Sequence, residues 1–322
     1  MVVEENMSKA WNESATLQIV DAGEFQPDKT ASQLNTKYGS ILYERARVST
    51  DDYRKLNQQG FLKVEGLLSA DDIRELSQHM DDVLAGKETA PGFPKIDPSF
   101  SASQRVAAFS RIHNAHRVHA LHERFLLHPR ILDVVEQLSG PDILALQSMA
   151  FFKEPGQPGQ GLIAAWVAIS DATEDNGCLW FRAGSQVEPT YPCPGNSFTQ
   201  AASGLDGVFQ NFTASVLEPT DNQLTGVAER YPEIPCPAKP GDVVFFRGNI
   251  LHRSHANNSS TSRRAFVAHY CDARSFVPWN IGRGWEGMDE GKGANNLHIL
   301  ARGGSHLPYA HPRFGTPIQR LR

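Results

Sequence analysis

The sequence predicts a mainly β fold, a sandwich or a barrel-like jelly roll, with helices packed outside it. Three features predict this. From Asp142 onward the chain breaks into short runs rich in β-branched and aromatic residues, separated by Gly, Pro and Asn clusters. Ahead of that point, apolar residues recur at helical spacing. Finally, the Gly241-Asp242 turn feeds an apolar run, Val243-Val244-Phe245-Phe246, that ends in a glycine bend and a histidine.

Residues 1–45 are polar and weakly periodic and read as an irregular arm. This leaves 46–322 as a single domain: helical over 51–140, jelly roll over 142–272, and a tail over 273–322, rich in Gly, Asn and Pro, that wraps the barrel. Asp51 to Gln59 reads as a short helix and Phe61 to Val64 as a strand. Ser69 stands where a helix N-cap belongs, with Asp72 three residues on as its reciprocal partner. Behind this cap Ile73, Leu76, Met80 and Val83 keep helical spacing, so an amphipathic helix runs to near Gly86. Thr89 to Ser103, rich in Pro, Ser and Gly, reads as a loop, and Gln104 to Leu138 as a second helical region.

Inside that region His113, His116, His119 and His122 recur every three residues, with His128 beyond. A strict spacing of three drifts around a 3.6-residue helix, so only neighbouring pairs share a face. The ladder therefore reads as a polar face near a pocket mouth more readily than as a set of metal ligands. The strands that follow are Ile143 to Lys153, Leu162 to Ser170, Leu179 to Phe181, Asp242 to Phe246 and Ala265 to Tyr270. Residues 189–238 form a long insertion with little periodicity, the kind of segment that lids a pocket.

With 40% apolar and 21% charged residues, the 322-residue chain has material for a sizeable core. A net charge of −5, with both signs interspersed, argues against the basic face that phosphate backbones require. No nucleic-acid partner is expected. No apolar run approaches the length of a membrane span, and the N-terminus lacks the basic-then-apolar layout of a signal. The C-terminal Gln319-Arg320-Leu321-Arg322 is not a peroxisomal address, and a cytoplasmic protein is expected. Cys178, Cys193, Cys236 and Cys271 show no metal-type spacing and read as reduced thiols.

The most informative stretch runs from Gly241 through His252, Arg253 and Ser254 to Asn257, and on to Arg263-Arg264-Ala265-Phe266. A neutral imidazole is a good iron ligand. An arginine eleven residues later, reached across one hairpin, can grip a carboxylate bidentately.

This pattern resembles the phytanoyl-CoA dioxygenase (phytanoyl-CoA hydroxylase-like) family of Fe(II)/2-oxoglutarate-dependent oxygenases, and the resemblance implies a double-stranded β-helix core, a cupin-like jelly roll. The resemblance implies Fe(II) and 2-oxoglutarate as cofactors, with His252 as the distal iron ligand and Arg263 on the distal carboxylate of 2-oxoglutarate. Ser254 matches the family's hydroxyl two residues after the histidine. Arg264 is the fallback for Arg263, since strand alternation alone does not say which of the two points inward. His255, at an odd offset from His252, falls on the opposite face of an extended strand. The resemblance also covers Phe125 to Asp142, Gln147 to Gly161, Ala165 to Ile169, Asp171 to Thr173, Asn176 to Leu179 and Gly184-Ser185. Trp166 stands where the family has a tryptophan contacting the co-substrate, and Gln147 is a weaker candidate for the same neighbourhood. Taken singly, Trp166 also fits as a core residue and Gln147 as a polar residue with structural partners.

One segment of the pattern is missing. The family's proximal iron ligands are a His-x-Asp pair just after the turn that here ends at Gly159-Gln160-Gly161, and this chain runs from Gly161 straight into Leu162-Ile163-Ala164. Because both flanks still match, the sequence looks like a clean excision of a dozen or more residues. Two of the three ligands of the 2-His-1-carboxylate triad go with it, so whether the chain is an enzyme is left open. Part of a barrel strand goes as well, which leaves neighbouring backbone unpaired. Three explanations follow: a misread or mis-spliced transcript of an ordinary dioxygenase, a pseudoenzyme that binds 2-oxoglutarate or substrate without turnover, or a site rebuilt from other residues. The histidine ladder is the nearest resource for the third. The reaction implied is hydroxylation of a small-molecule or acyl substrate, whose identity lies in variable loops.

Overall fold

The computed structural model describes residues 45–90, 93–109, 111–113, 115–117, 119–153, 164–188, 224–273, 298–303 and 310–311. The expected N-terminal arm, the Gly159–Gly161 turn, most of the 189–238 insertion and most of the tail lie outside the described residues.

Helix α1 (Thr50–Gln59) is capped by Ser49 and stops at Gly60, whose φ of 86° gives the left-handed turn into β1 (Phe61–Val64). Helix α2 (Ala70–Leu84) starts on the reciprocal cap foreseen at Ser69 and Asp72. It buries Ile73, Leu76, Met80 and Val83 as their spacing predicts.

The second helical region is not one helix. It breaks into α3 (Ala102–Ala108), a short strand β2 (Arg111–His113), a single 3-10 turn (Ala115–Arg117), α4 (Ala120–Leu126) and α5 (Pro129–Ser139). Two local causes are visible. β2 pairs antiparallel with β3 (Ile143–Lys153), which pulls that segment extended, and Pro129 starts a fresh helix. The ladder histidines therefore occupy a strand, a turn, a helix cap and a helix, and share no common face.

The remaining elements are β4 (Ala164–Ala168), β5 (Leu179–Arg182), α6 (Leu224–Ala228), β6 (Glu233–Cys236), β7 (Val243–Phe246), β8 (His252–Ser254), β9 (Arg263–Asp272), β10 (His298–Arg302) and β11 (Ala310–His311). β6 lies at the end of the 189–238 insertion, where Cys236 to Glu233 pair with Leu179 to Arg182. The large sheet runs β1-β7-β4-β9-β3-β10-β11, with β2 also on β3, and the small sheet runs β6-β5-β8. All pairings are antiparallel except β10 with β11.

The period-2 alternation of the strands sorts the large sheet into two cores. Ala165, Val167, Val243, Phe245, Phe266 and Ala268 join Leu76, Phe125, Leu126, Ile131 and Leu132 under the helices. Their neighbours Ala164, Trp166, Val244, Phe246, Ala265 and Val267 join Leu179 and Phe181 of the small sheet in a second core between the sheets. Mainly antiparallel sheets with helices outside one face are the expected fold, though the described strands do not close a barrel.

Candidate active site between the two sheets

The Gly241-Asp242 turn anchors the strand that leads to the site. Gly241 has φ 93°, and a Cβ there would come within 2.8 Å of the Leu68 carbonyl oxygen, so only glycine fits. The Asp242 carboxylate accepts from the Gly66 and Lys239 backbone N–H groups, at 2.9 Å each. After β7, a turn closed by the Ile250 N–H donating to the Arg247 carbonyl swings the chain from the large sheet to the small one.

His252 is the first residue across. Its Nδ1 lies 2.9 Å from the Ile250 carbonyl, which can only accept, so Nδ1 carries the proton and Nε2 the lone pair. Nε2 is buried and has no hydrogen-bond partner among the described residues. The ring packs against Phe246 and Phe181, with centroids 4.7 and 5.9 Å away, and burial holds its pKa below the usual imidazole value. A neutral ring, oriented through one nitrogen and free at the other, is how a protein presents a metal ligand.

Arg263 opens β9 on the inter-sheet face, 5% exposed, with its Cζ 5.3 Å from the Trp166 ring centroid. Its Nε is buried without a partner, and no carboxylate among the described residues pairs with it. Burial pushes its pKa down to about 10. Arg264 points the other way, to Asp81 of α2 at 2.7 Å. The choice between the two arginines, open in the sequence, is thus resolved by strand parity: Arg263 is the inward one.

Trp166, 4% exposed, lies on the same inner face of β4, opposite Val267. Gln147 is also buried, just past a register shift in β3, and its side chain makes no hydrogen bond to the described residues. Ser254 sits two residues beyond His252 on β8, but its hydroxyl donates to the Gly177 carbonyl at 2.8 Å. It would serve a carboxylate only by releasing that bond. His255 packs edge-on against Trp180, on the outer side of the small sheet, as its odd offset predicts.

The donor set fits 2-oxoglutarate at one end: a buried arginine without an anionic partner, flanked by an indole. It does not fit an iron centre of three protein ligands. Among the described residues no group of three histidine, cysteine or carboxylate donors includes His252, and the segment 154–163 contains neither histidine nor aspartate. Nor does the ladder rebuild the site. His122 packs on Phe266, 5.8 Å between centroids, on the helix side of the large sheet. β8, which carries His252, ends the small sheet, and no described strand pairs with its outer edge. An open edge beside the one remaining ligand is where a lost strand segment would leave its mark.

The comparisons bear on this geometry directly. The family model described as "Phytanoyl-CoA dioxygenase (PhyH)" matches residues 56–265, well over half of the chain. The chain belongs to the phytanoyl-CoA dioxygenase family. Among its relatives, phytanoyl-CoA dioxygenase domain-containing protein 1 of Danio rerio is 23% identical over 286 residues, covering 71% of this chain and 92% of the relative. The peroxisomal phytanoyl-CoA dioxygenase of Rattus norvegicus is 22% identical over 245 residues, 69% of this chain and 68% of the relative. In the first alignment, 71% of 322 residues falls well short of 286 positions. That relative therefore carries residues within the aligned span for which this chain has no counterpart, as an internal excision requires.

Solved structures of the same fold include EctD from S. alaskensis with bound Fe, with a TM-score of 0.56 at 17% identity over 87% of this chain and 90% of that one. The same protein with 2-oxoglutarate and 5-hydroxyectoine gives 0.55 at 18% identity over the same shares. Fe(II) and 2-oxoglutarate are the family's cofactors, and small molecules its substrates. No described helix is long and apolar enough to cross a membrane.

Proposed function

We propose that this chain is a 2-oxoglutarate-binding member of the family in which Arg263 anchors the distal carboxylate, Trp166 packs beside it, and His252 faces the keto acid from β8. Gln147 and Ser254 border the same space. The observation that carries this reading is Arg263, a buried guanidinium whose Nε has no partner, and which meets no carboxylate, among the described residues. An isolated buried charge is costly, and a dicarboxylate ligand removes that cost with charge-assisted hydrogen bonds.

With a complete metal site the activity is the family's hydroxylation of a small-molecule or acyl substrate, in the cytoplasm. In that reaction the metal supplies the oxidising chemistry, while the protein positions the substrate and excludes water. Among the described residues His252 is the one candidate iron ligand at this site, so we assign the chain binding of the keto acid and no turnover of its own. The absent His-x-Asp segment favours this second state. A melting-temperature titration with 2-oxoglutarate, Fe(II) and both together tests the reading, because a ligand that binds only the folded state raises its stability. Stabilisation by 2-oxoglutarate alone is expected. Stabilisation that requires both, accompanied by succinate formation, would overturn the inactive assignment.

A further inference from the structure

On the far side of the large sheet from His252, three imidazoles and a carboxylate converge from segments distant in the sequence. His79 lies near the end of α2, and Glu88 in the turn that follows it. His119 caps α4, and His122 sits in its first turn. His79 Nδ1 is hydrogen-bonded to Glu88 Oε2, and His119 Nε2 lies 3.3 Å from the same oxygen. His79 Nε2 lies 2.9 Å from His122 Nε2. One donor atom each from His79, Glu88 and His119 fall within 4.8 Å of one another. We propose that His79, Glu88 and His119 form a binding site for a divalent transition ion, with zinc the best match, and that His122 is its outer partner.

The chemistry of the set supports the ion. Two imidazoles and one carboxylate suit zinc, which takes nitrogen and oxygen ligands in a tetrahedron and accepts water in a fourth position. Glu88 is 37% exposed and His119 20%, so the open side of the set faces solvent. Burial holds all three histidines below the ordinary imidazole value, so their lone pairs are available without loss of a proton.

A second observation concerns His122. The residue is 1% exposed, and its Nδ1 is buried with no hydrogen-bond partner among the described residues. In the metal-free cluster His122 Nε2–H donates to His79 Nε2, and His79 Nδ1–H donates to Glu88. An ion at Glu88 takes the lone pair of His79 Nδ1 instead. The His79 proton then shifts to Nε2 and the His122 proton from Nε2 to Nδ1, so that His79 donates to the freed His122 Nε2, the arrangement in which a ligating histidine is oriented by an outer acceptor. Ligation through His119 Nε2 likewise moves that ring's proton to Nδ1 and gives up the long 3.3 Å bond that Nδ1 accepts from the Leu121 N–H. Phe93, centroids 6.3 Å from His119 and 6.4 Å from His122, and Phe266 wall the cluster with apolar surface.

This site is independent of the keto-acid pocket, since Phe266 faces the cluster while its neighbours Ala265 and Val267 face the other core. Titration of the chelator-treated protein with Co(II), followed by its visible d–d absorption, tests the proposal. One equivalent should give the strong band of a four-coordinate site, and Zn(II) should bleach it. Glu88→Gln and His119→Ala, both at partly exposed positions, should each weaken cobalt binding beyond the roughly 10–100-fold that losing an outer partner costs. His252→Ala should leave the band intact, and Zn(II) should raise the melting temperature of that variant as in the parent. No band in the parent protein, a band unchanged in Glu88→Gln, or a band lost in His252→Ala would each overturn the proposal.

Discussion

The guanidinium of Arg263 lies 5.3 Å from the centroid of the Trp166 ring, and no carboxylate among the described residues shares that space. A cation on an aromatic face gains about 0.5–2 kcal/mol, which does not offset the desolvation of a full charge. In the proposed function the pair binds a ligand carboxylate, and its state without one is unfavourable.

It follows that Arg263→Met should act in opposite directions on the two states. Without ligand, removing an uncompensated buried charge should leave the melting temperature unchanged or raise it, by about 2–4 °C per kcal/mol recovered. With 2-oxoglutarate, the loss of hydrogen bonds worth roughly 1.5–3 kcal/mol should weaken binding by about 10–100-fold. Differential scanning fluorimetry with and without the keto acid measures both effects, and a destabilised ligand-free variant would contradict the account.

Parity and burial explain why part of this site was legible in the sequence and part was not. The stretch from Gly241 to Arg263 singled out both side chains as candidates, and their proposed roles came from its resemblance to the family. Choosing Arg263 over Arg264 needed the register of β9 against β3 and β4, which is set by contacts more than 90 residues apart. β1 and β3 have the bounds expected from their composition, whereas β6, Glu233-Ile234-Pro235-Cys236, carries a proline and lies in a segment without alternation. Tertiary pairing with β5 makes it a strand. The ladder histidines were visible, but nothing in their spacing points to His79 and Glu88, which come from another helix and its trailing turn.

Iron should bind weakly at His252. After anaerobic loading and desalting, a Glu88→Gln protein, in which the histidine cluster on the helix side is disabled, should retain well under one equivalent of iron. Retention of a full equivalent would mean that further ligands reach His252.

The edge of β8 that no described strand pairs carries charge. Arg253 points outward, 53% exposed, and bonds Glu233 through Nε at 2.5 Å and Nη2 at 2.7 Å. Edge strands use such charges to block pairing with other chains. Arg253→Val should increase concentration-dependent association, measured by light scattering, with little change in the far-UV circular dichroism of dilute samples. An unchanged scattering profile would remove β8 as the vulnerable edge.

A buried ionic knot joins the residues before α1, helix α5 and strand β10. Asp133, fully buried, accepts from Arg302 at 2.7 Å, from Arg45 at 3.1 Å and from the Ala46 N–H at 3.0 Å. Asp133→Ala leaves the buried Arg302 with Glu136 as its remaining ion-pair partner among the described residues. Breaking a buried pair from one side costs about 3–5 kcal/mol, so the melting temperature should fall on the order of 10 °C. A drop of only a degree or two would show that the knot is relayed by solvent.

The central claim is that the inter-sheet pocket holds 2-oxoglutarate through Arg263. Titration of the parent protein, Arg263→Met and Arg264→Ala with 2-oxoglutarate, followed by melting temperature, tests it most directly. The account predicts saturable stabilisation of the parent and of Arg264→Ala, and none of Arg263→Met at the same concentrations. Equal stabilisation of the parent and Arg263→Met, or no stabilisation of the parent at millimolar keto acid, would contradict it.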